Sequence, residues 1–422
     1  MIEDAWRVVG GRPLRGTVTP AGSKNGALPT LAATLLLEGE AVLHNVPRIL
    51  DVECMEGLLR AFGMKVARRR DGSVHVVNHG LETNRAPLEL VRRMRASHYL
   101  LAPVVARLGR AEIPFPGGCA IGERPVDYLL SGLHGLGVES QVDDERIRAR
   151  ARRLVGADIA LDPVYRSPGA TFTLLMAAVL AEGTTTIENA SFEPDVVSFC
   201  QFLNGAGAQI EGSGTPALTV RGVPSLHGVT HTINPDRLEA GTFFCAAAAS
   251  RGEVTVENIT LPELGAVVEK LQEAGVEIAQ SSNGVTASCE RRPRAISLVT
   301  EPYPRFPTDL QPPMGAMLAT AEGVSTIREA IFDRRLQYVP ELAKMGADIR
   351  LVDSRNAVIT GVPRLHGAEV EGQSIRDGAA LVVAALGAEG ESIVSGRHLV
   401  ARGYEGLEMK LRALGAEIEV RG

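Results

Sequence analysis

Residues 171–190 read TFTLLMAAVLAEGTTTIENA, and this stretch decides the fold. Its first half is a nearly continuous apolar run of Ala, Leu and Met, the composition of a helix buried on most sides. Gly183 follows, placed to end that helix in a left-handed conformation. The TTTIENA tail then supplies β-branched residues suited to a strand. Working outward in both directions, the same succession recurs roughly every 70 residues, around Gly39, Gly109, Gly183, Gly252, Gly323 and Gly390. The tails at the other copies are AVLHNV (41–46), AEIPFP (111–116), EVTVENI (253–259), VSTIREA (324–330) and ESIVSG (391–396).

A second marker runs out of phase with the first. It comprises LLRAFGMKV (58–66), LHGLGVES (133–140), FLNGAGAQI (202–210), KLQEAGVEI (270–278), ELAKMGADI (341–349) and KLRALGAEI (410–418). Each is an amphipathic helix that stops at a glycine and turns into a strand. Two interleaved markers with one period mean six copies of a mixed unit with more than one helix each. Helical solenoids have shorter repeats with little strand and fit poorly. A chain of 422 residues supports more than one core. The pattern therefore predicts an α/β protein in which six repeats close into two three-repeat domains. Each is expected to hold its helices buried and its sheets outward, the arrangement of an inside-out α/β barrel. The turn-rich stretch RGVPSLHGVTHTINPDR (221–237) reads as an irregular crossover at the midpoint. Local pattern leaves open whether the N-terminal VVGGRPLRGTVTPAG (8–22) returns to the second domain.

Composition sets outer bounds. A net charge of −6 and a pI near 5.9 argue against a nucleic-acid surface. Five cysteines without a CxxC pair, and nine histidines without HExxH, point away from a structural zinc site. An odd cysteine count and no apolar leader predict a reducing, cytoplasmic setting. The apolar runs are broken by charges and glycines, so they read as core helices rather than membrane spans.

Cys119 stands apart from the other thiols. It lies in PFPGGCAIGERPVD (114–127), among glycines and prolines, where Cys54, Cys200 and Cys245 sit in helix-like apolar segments. Read locally, it is either an incidental loop cysteine or a reactive thiol on a movable loop, with Arg124 near enough to lower its pKa. Lys24 and Asn25 in AGSKNGALPTLAA fall just before an apolar helix, a place for anion binding or for a solvated lysine. Arg95 precedes the helix of the second copy and reads as surface charge or an anion ligand. In YPRFPTDLQPP (303–313), Thr308 or Asp309 suits an N-cap, and Asp309 alternatively suits a general base. Arg335, Arg376 and Arg402 occur at corresponding positions between repeats, and their planar forks suit phosphate and carboxylate.

Taken together, these stretches resemble the UDP-N-acetylglucosamine 1-carboxyvinyltransferase family of enolpyruvyl transferases. The matching strings are GSKNGALPTLAATLL, MRAS, PGGCAIGERPVDYLLSGL, SPGAT, PDRLEAGTF, YPRFPTDLQ and RGYEGLEMKLRALGAEI, in order along the chain. The resemblance implies two domains, 22–230 and 1–21 with 231–422, the second carrying both termini. It implies that Lys24 and Asn25 bind phosphoenolpyruvate while Arg124 and Arg402 gather its phosphate and carboxylate. Arg335 and Arg376 match further arginines of the family's site. Arg95, the run Arg124, Pro125, Val126, Asp127 and Tyr128, the turn from Ser167 to Gly169, Asp309 and Ile331 match positions around the nucleotide sugar. Cys119 matches the family's proton donor and its site of fosfomycin attack, and Asp309 is the residue expected to position the sugar hydroxyl and accept its proton. Catalysis is thus expected from Cys119, Asp309, Lys24 and Arg402, without metal or cofactor, by a monomer that binds neither nucleic acid nor membrane.

Three positions depart from the family pattern. Tyr165 stands where a lysine is common, Ser374 where the family's DLR string has Asp, and Arg334-Arg335 where Asn-Arg is usual. Two other readings compete with the first. One is 3-phosphoshikimate 1-carboxyvinyltransferase, which shares the architecture and the donor. The other is a non-catalytic paralogue that binds a nucleotide sugar.

Overall fold

The computed structural model describes residues 4–115, 127–143 and 145–421. They form two compact units. One runs from Gly22 to Asn234, and the other joins the residues up to Ala21 to Pro235–Gly422. Each has its own apolar core.

The second marker is realised in all six copies. Helices Leu50–Ala61, Asp127–Gly135, Pro194–Gly205, Ala266–Glu273, Val339–Lys344 and Leu407–Ala413 each run into a short strand. The glycines between them, Gly63, Gly137, Gly207, Gly275, Gly346 and Gly415, all take positive φ. The first marker needs a correction. Its strands form as expected, including Leu37–His44, Arg110–Pro114 and Thr184–Glu188, yet only Gly109 is itself a left-handed helix cap. Gly183, Gly323 and Gly390 have positive φ in turns beyond the helix ends, and Gly39 lies inside a strand. In the fourth copy Arg251 takes the left-handed cap in place of Gly252. Gly252 is required for a different reason: a Cβ there would stand 2.0 Å from the Leu14 carbonyl oxygen.

The apolar helices are buried on nearly every side. Arg237–Ser250, Gln311–Leu318 and Ile375–Gly387 pack against one another at the centre of their unit. Phe243 and Phe244 are fully enclosed there, a burial worth about 1.5–3 kcal/mol per side chain. The described strands form five four-stranded sheets and one three-stranded sheet. Thr184–Glu188 shows the pattern of mixed pairing: Ala217–Arg221 lies antiparallel on one side of it and Asp158–Ala160 parallel on the other.

The stretch 221–237 is not irregular. It contains the strand Leu226–Thr232, which pairs in parallel with Leu37–His44 in the register Leu226↔Leu37, so the last strand of its unit bonds to the first. The N-terminal segment does the equivalent in the other unit. Ala5–Val9 lies antiparallel between Glu391–Ser395 and Glu417–Arg421, and Arg15–Val18 runs parallel to Glu253–Glu257. Among the described residues, no helix is long and apolar enough to cross a membrane.

Candidate active site

In the unit that contains the C-terminus, three candidate residues converge. Asp309 lies in the 3-10 turn Thr308–Leu310 that leads directly into Gln311–Leu318. Neither Thr308 nor Asp309 is the expected N-cap: the residue before the turn is Pro307, and the helix begins from Leu310 with no side-chain cap. Asp309 instead accepts hydrogen bonds from two arginines. Arg335 donates to Oδ1 through Nη2, and Arg376 reaches Oδ2 at 3.2 Å. Arg335 is 2% exposed and Arg376 4%, so both charges are buried and the carboxylate is what they share. Burial opposes the Arg376 cation, but Tyr404, Asp309 and Asp236 outweigh it and raise the pKa. The Arg376 guanidinium also lies 5.1 Å from the centroid of the Tyr404 ring.

Glu329 organises the surrounding loop. Fully buried, it accepts from the hydroxyls of Thr300 and Thr308 and from the backbone N–H groups of Ile331 and Phe332. One side chain thereby ties the Asp309 turn to the Ile331 loop. Arg402 is half-buried in the turn after Arg397–Val400. That turn sits against the start of Ile375–Gly387, for a Cβ on Gly403 would stand 2.7 Å from Ile375 Cγ2. Ser374 caps this helix by accepting from the Asp377 N–H at 3.2 Å, so serine there still anchors the turn that aims Arg376. Of the arginine pair, Arg334 is exposed and Arg335 is buried.

The other unit gathers a separate set. Lys24 opens the helix Lys24–Ala33, whose N-cap Ser23 accepts from the Gly26 N–H at 3.2 Å, and Asn25 follows it. Lys24 Nζ stands 2.7 Å from Oδ2 of Asp51, which is 3% exposed. This helix packs against the 3-10 turn Arg95–Leu100, which in turn packs against Pro168–Ala178. Ser167 caps the latter helix by accepting from the Ala170 N–H. A Cβ on Gly169 would lie 3.7 Å from His98 Nε2 and 3.9 Å from the Tyr99 hydroxyl, which brings the Ser167 turn beside that of Arg95. Tyr165 is 41% exposed just before it. Asp127 and Tyr128 begin the helix Asp127–Gly135. Cys119, Arg124, Pro125 and Val126 lie outside the described residues.

The remaining four thiols are buried. Burial pushes Cys200 up to about 11 and Cys245 up to about 12, so both stay protonated and inert near neutral pH. Among the described residues, no group of three or more His, Cys, Asp or Glu side chains is arranged to hold a metal ion.

Sequence reasoning missed Asp51 and Glu329. For Glu329 a signal was present. In VSTIRE (324–329) the alternation puts it on the same inward face as Ser325 and Ile327. A buried glutamate in that register must find donors. Asp51 carries no comparable local mark.

Residues 8–411 match the model of the EPSP synthase (3-phosphoshikimate 1-carboxyvinyltransferase) family. The chain is 47% identical over 415 residues to UDP-N-acetylglucosamine 1-carboxyvinyltransferase 3 of Symbiobacterium thermophilum, covering 98% of this chain and 97% of that protein. It is 45% identical to the UDP-N-acetylglucosamine 1-carboxyvinyltransferase of Cellvibrio japonicus, covering 98% and 99%. The chain belongs to the UDP-N-acetylglucosamine 1-carboxyvinyltransferase family.

Solved structures agree on the α/β architecture of this family. The enolpyruvyl transferase NikO from Streptomyces tendae superposes with a TM-score of 0.88 at 27% identity, covering 99% of both chains. EPSP synthase from Acinetobacter baumannii gives 0.74 at 18% identity, covering 99% of this chain and 100% of the other, a likeness of fold alone.

Proposed function

We propose that this protein transfers the enolpyruvyl group of phosphoenolpyruvate to the 3-hydroxyl of UDP-N-acetylglucosamine and releases phosphate. The observation that carries this reading is near-full-length identity of 44–47% to proteins bearing that enzyme's name. The clasp of Arg335 and Arg376 on Asp309 supports it chemically.

The proposed reaction is an addition followed by an elimination. Cys119 protonates C3 of phosphoenolpyruvate, which makes C2 electrophilic. The sugar 3-hydroxyl attacks C2 and gives its proton to Asp309, whose orientation is held by two buried arginines. Loss of a proton from C3 with departure of phosphate then restores the double bond and leaves the enolpyruvyl ether. Lys24, Asn25, Arg124 and Arg402 stabilise phosphate and carboxylate charge through both steps. Arg95, Ser167, Gly169, Ile331 and the segment from Arg124 to Tyr128 receive the nucleotide sugar. The chain's two folding domains are 22–230 and 1–21 with 231–422, each an inside-out barrel of three repeats with helices within and sheets without. The protein works as a cytoplasmic monomer.

The test is phosphate release from phosphoenolpyruvate with either UDP-N-acetylglucosamine or 3-phosphoshikimate as acceptor. Release that depends on the nucleotide sugar is expected. Release with 3-phosphoshikimate alone would move the protein to the shikimate branch. No release with either, from folded protein, would favour a binding role.

A further inference from the structure

Glu329 ends the strand Val324–Glu329 as a fully buried carboxylate, and the proposed reaction gives it no step. Its Oε1 accepts from the Thr300 hydroxyl at 2.8 Å and from the N–H groups of Ile331 and Phe332 at 2.9 and 3.0 Å. Its Oε2 accepts from the Thr308 hydroxyl at 3.0 Å. The Thr300 hydroxyl in turn accepts from the Ala330 N–H at 2.9 Å. Each N–H from Ala330 to Phe332 is therefore satisfied by this carboxylate or by the threonine bound to it. Four donors converging on one buried carboxylate make it costly to displace.

The groups that Glu329 pins are the ones that surround Arg335. Arg335 Nε donates to the Thr308 carbonyl oxygen at 3.3 Å, and its guanidinium carbon lies 5.6 Å from the centroid of the Phe332 ring. Its Nη2 donates to Oδ1 of Asp309. Glu329 thus binds the side chain of one residue that holds Arg335 and the backbone of the other. Thr308 precedes Asp309 in the same 3-10 turn, so a shift of Thr308 would move the acceptor of Arg335 and the base together. Arg376 reaches only the other oxygen, Oδ2, from the helix Ile375–Gly387, and leaves the Oδ1 side to Arg335.

We infer that Glu329 is a positioning residue for Asp309: by pinning the Thr308 hydroxyl and the Phe332 backbone it fixes Arg335, and through Arg335 it fixes Oδ1 of the base. The oxygen that holds the Phe332 N–H also holds that of Ile331. One carboxylate thereby sets the base and the Ile331 loop in a single register. The consequence for catalysis rests on the reading of Asp309 as the acceptor of the hydroxyl proton and of Ile331 as a contact of the nucleotide sugar.

The test compares Thr308→Val, which cuts the Oε2 link and leaves the three bonds to Oε1, with Thr308→Ser, which keeps the hydroxyl, and with Glu329→Ala. In the full chain labelled with 15N-arginine, the Nε–H resonance lost in Arg335→Lys is expected to exchange slowly with water. That exchange should quicken severalfold in Thr308→Val and Glu329→Ala but not in Thr308→Ser. With turnover, Thr308→Val should lower kcat by roughly tenfold to a hundredfold with KM changed less than about twofold, and Thr308→Ser should recover most of the loss. Glu329→Ala, which also frees Ile331, should add a severalfold rise in the KM for UDP-N-acetylglucosamine; if it does not fold, the threonine pair still decides. Unaltered exchange or an unchanged kcat in Thr308→Val overturns the inference, as does a serine variant as impaired as the valine. The spectra require no turnover, so absence of phosphate release from wild-type protein would sink the proposed reaction while the hold on Arg335 stays measurable. A merely structural role would lower the urea midpoint and leave kcat per folded molecule unchanged.

Discussion

The Arg376 guanidinium stands 3.2 Å from Oδ2 of Asp309, across 67 residues of chain. Arg335 takes the other oxygen, so the carboxylate has little freedom to rotate. Asp309→Asn keeps the shape but removes the base, and kcat for phosphate release should fall by about 10²–10⁴-fold. Arg376→Lys supplies charge without the planar fork, and kcat should drop on the order of tenfold with a smaller change in KM. An unchanged kcat in Asp309→Asn would remove this residue from the mechanism.

Asp51 orients Lys24 through a 2.7 Å ion pair in a nearly closed setting. A hydrogen bond to a charged group contributes about 1.5–3 kcal/mol. Asp51→Asn should therefore raise the KM for phosphoenolpyruvate by roughly tenfold or more, because Lys24 keeps its charge but loses its aim. Steady-state kinetics at saturating acceptor would read this directly, and an unaltered KM would show that Lys24 is placed by other contacts.

Thiol labelling should single out one cysteine. Cys54, Cys200, Cys245 and Cys289 are buried, and burial raises the pKa of the last three. Thiolate is the reactive form, so their reactivity in folded protein stays low until well above neutral pH. Iodoacetamide at about pH 8, a little below the ordinary thiol value, followed by peptide mass spectrometry, should modify Cys119 alone. Labelling of Cys200 or Cys245 at a comparable rate would contradict the buried packing.

Gly252 and Gly183 make a paired stability test. A methyl at Gly252 meets the Leu14 carbonyl at 2.0 Å, whereas a methyl at Gly183 meets nothing within 4 Å and strains only a φ of +92°. Gly183→Ala should cost about 1–2 kcal/mol from the left-handed backbone. Gly252→Ala should cost more, because the Leu14 backbone that leads into Arg15–Val18 must move away, and the urea midpoints of the two variants would rank them. Equal midpoints would mean that the Leu14 backbone yields without penalty.

The repeat was legible in sequence because its cause is local. Apolar runs, glycines that must adopt positive φ, and β-branched tails each act within a few residues, so one copy such as 171–190 predicts the other five. The same locality explains the errors. A strand is made by its partner, and Leu226–Thr232 hides in a turn-rich stretch because the Leu37–His44 edge it completes is some 190 residues away. Thr308 and Asp309 looked like caps because a cap is the nearest use for them, while Asp309 instead serves two arginines that lie 26 and 67 residues further along the chain.

Sequence by itself determined the α/β class, the six repeats, the family and the residue types proposed to carry the chemistry. Those properties lie in short-range pattern and in identity along the chain. Only tertiary structure decided that Arg335 and Arg376 share one carboxylate, that Asp51 holds Lys24 and that Glu329 ties two loops together. Burial and charge pairing depend on which side chains exclude water from one another, and that is settled only when distant segments pack.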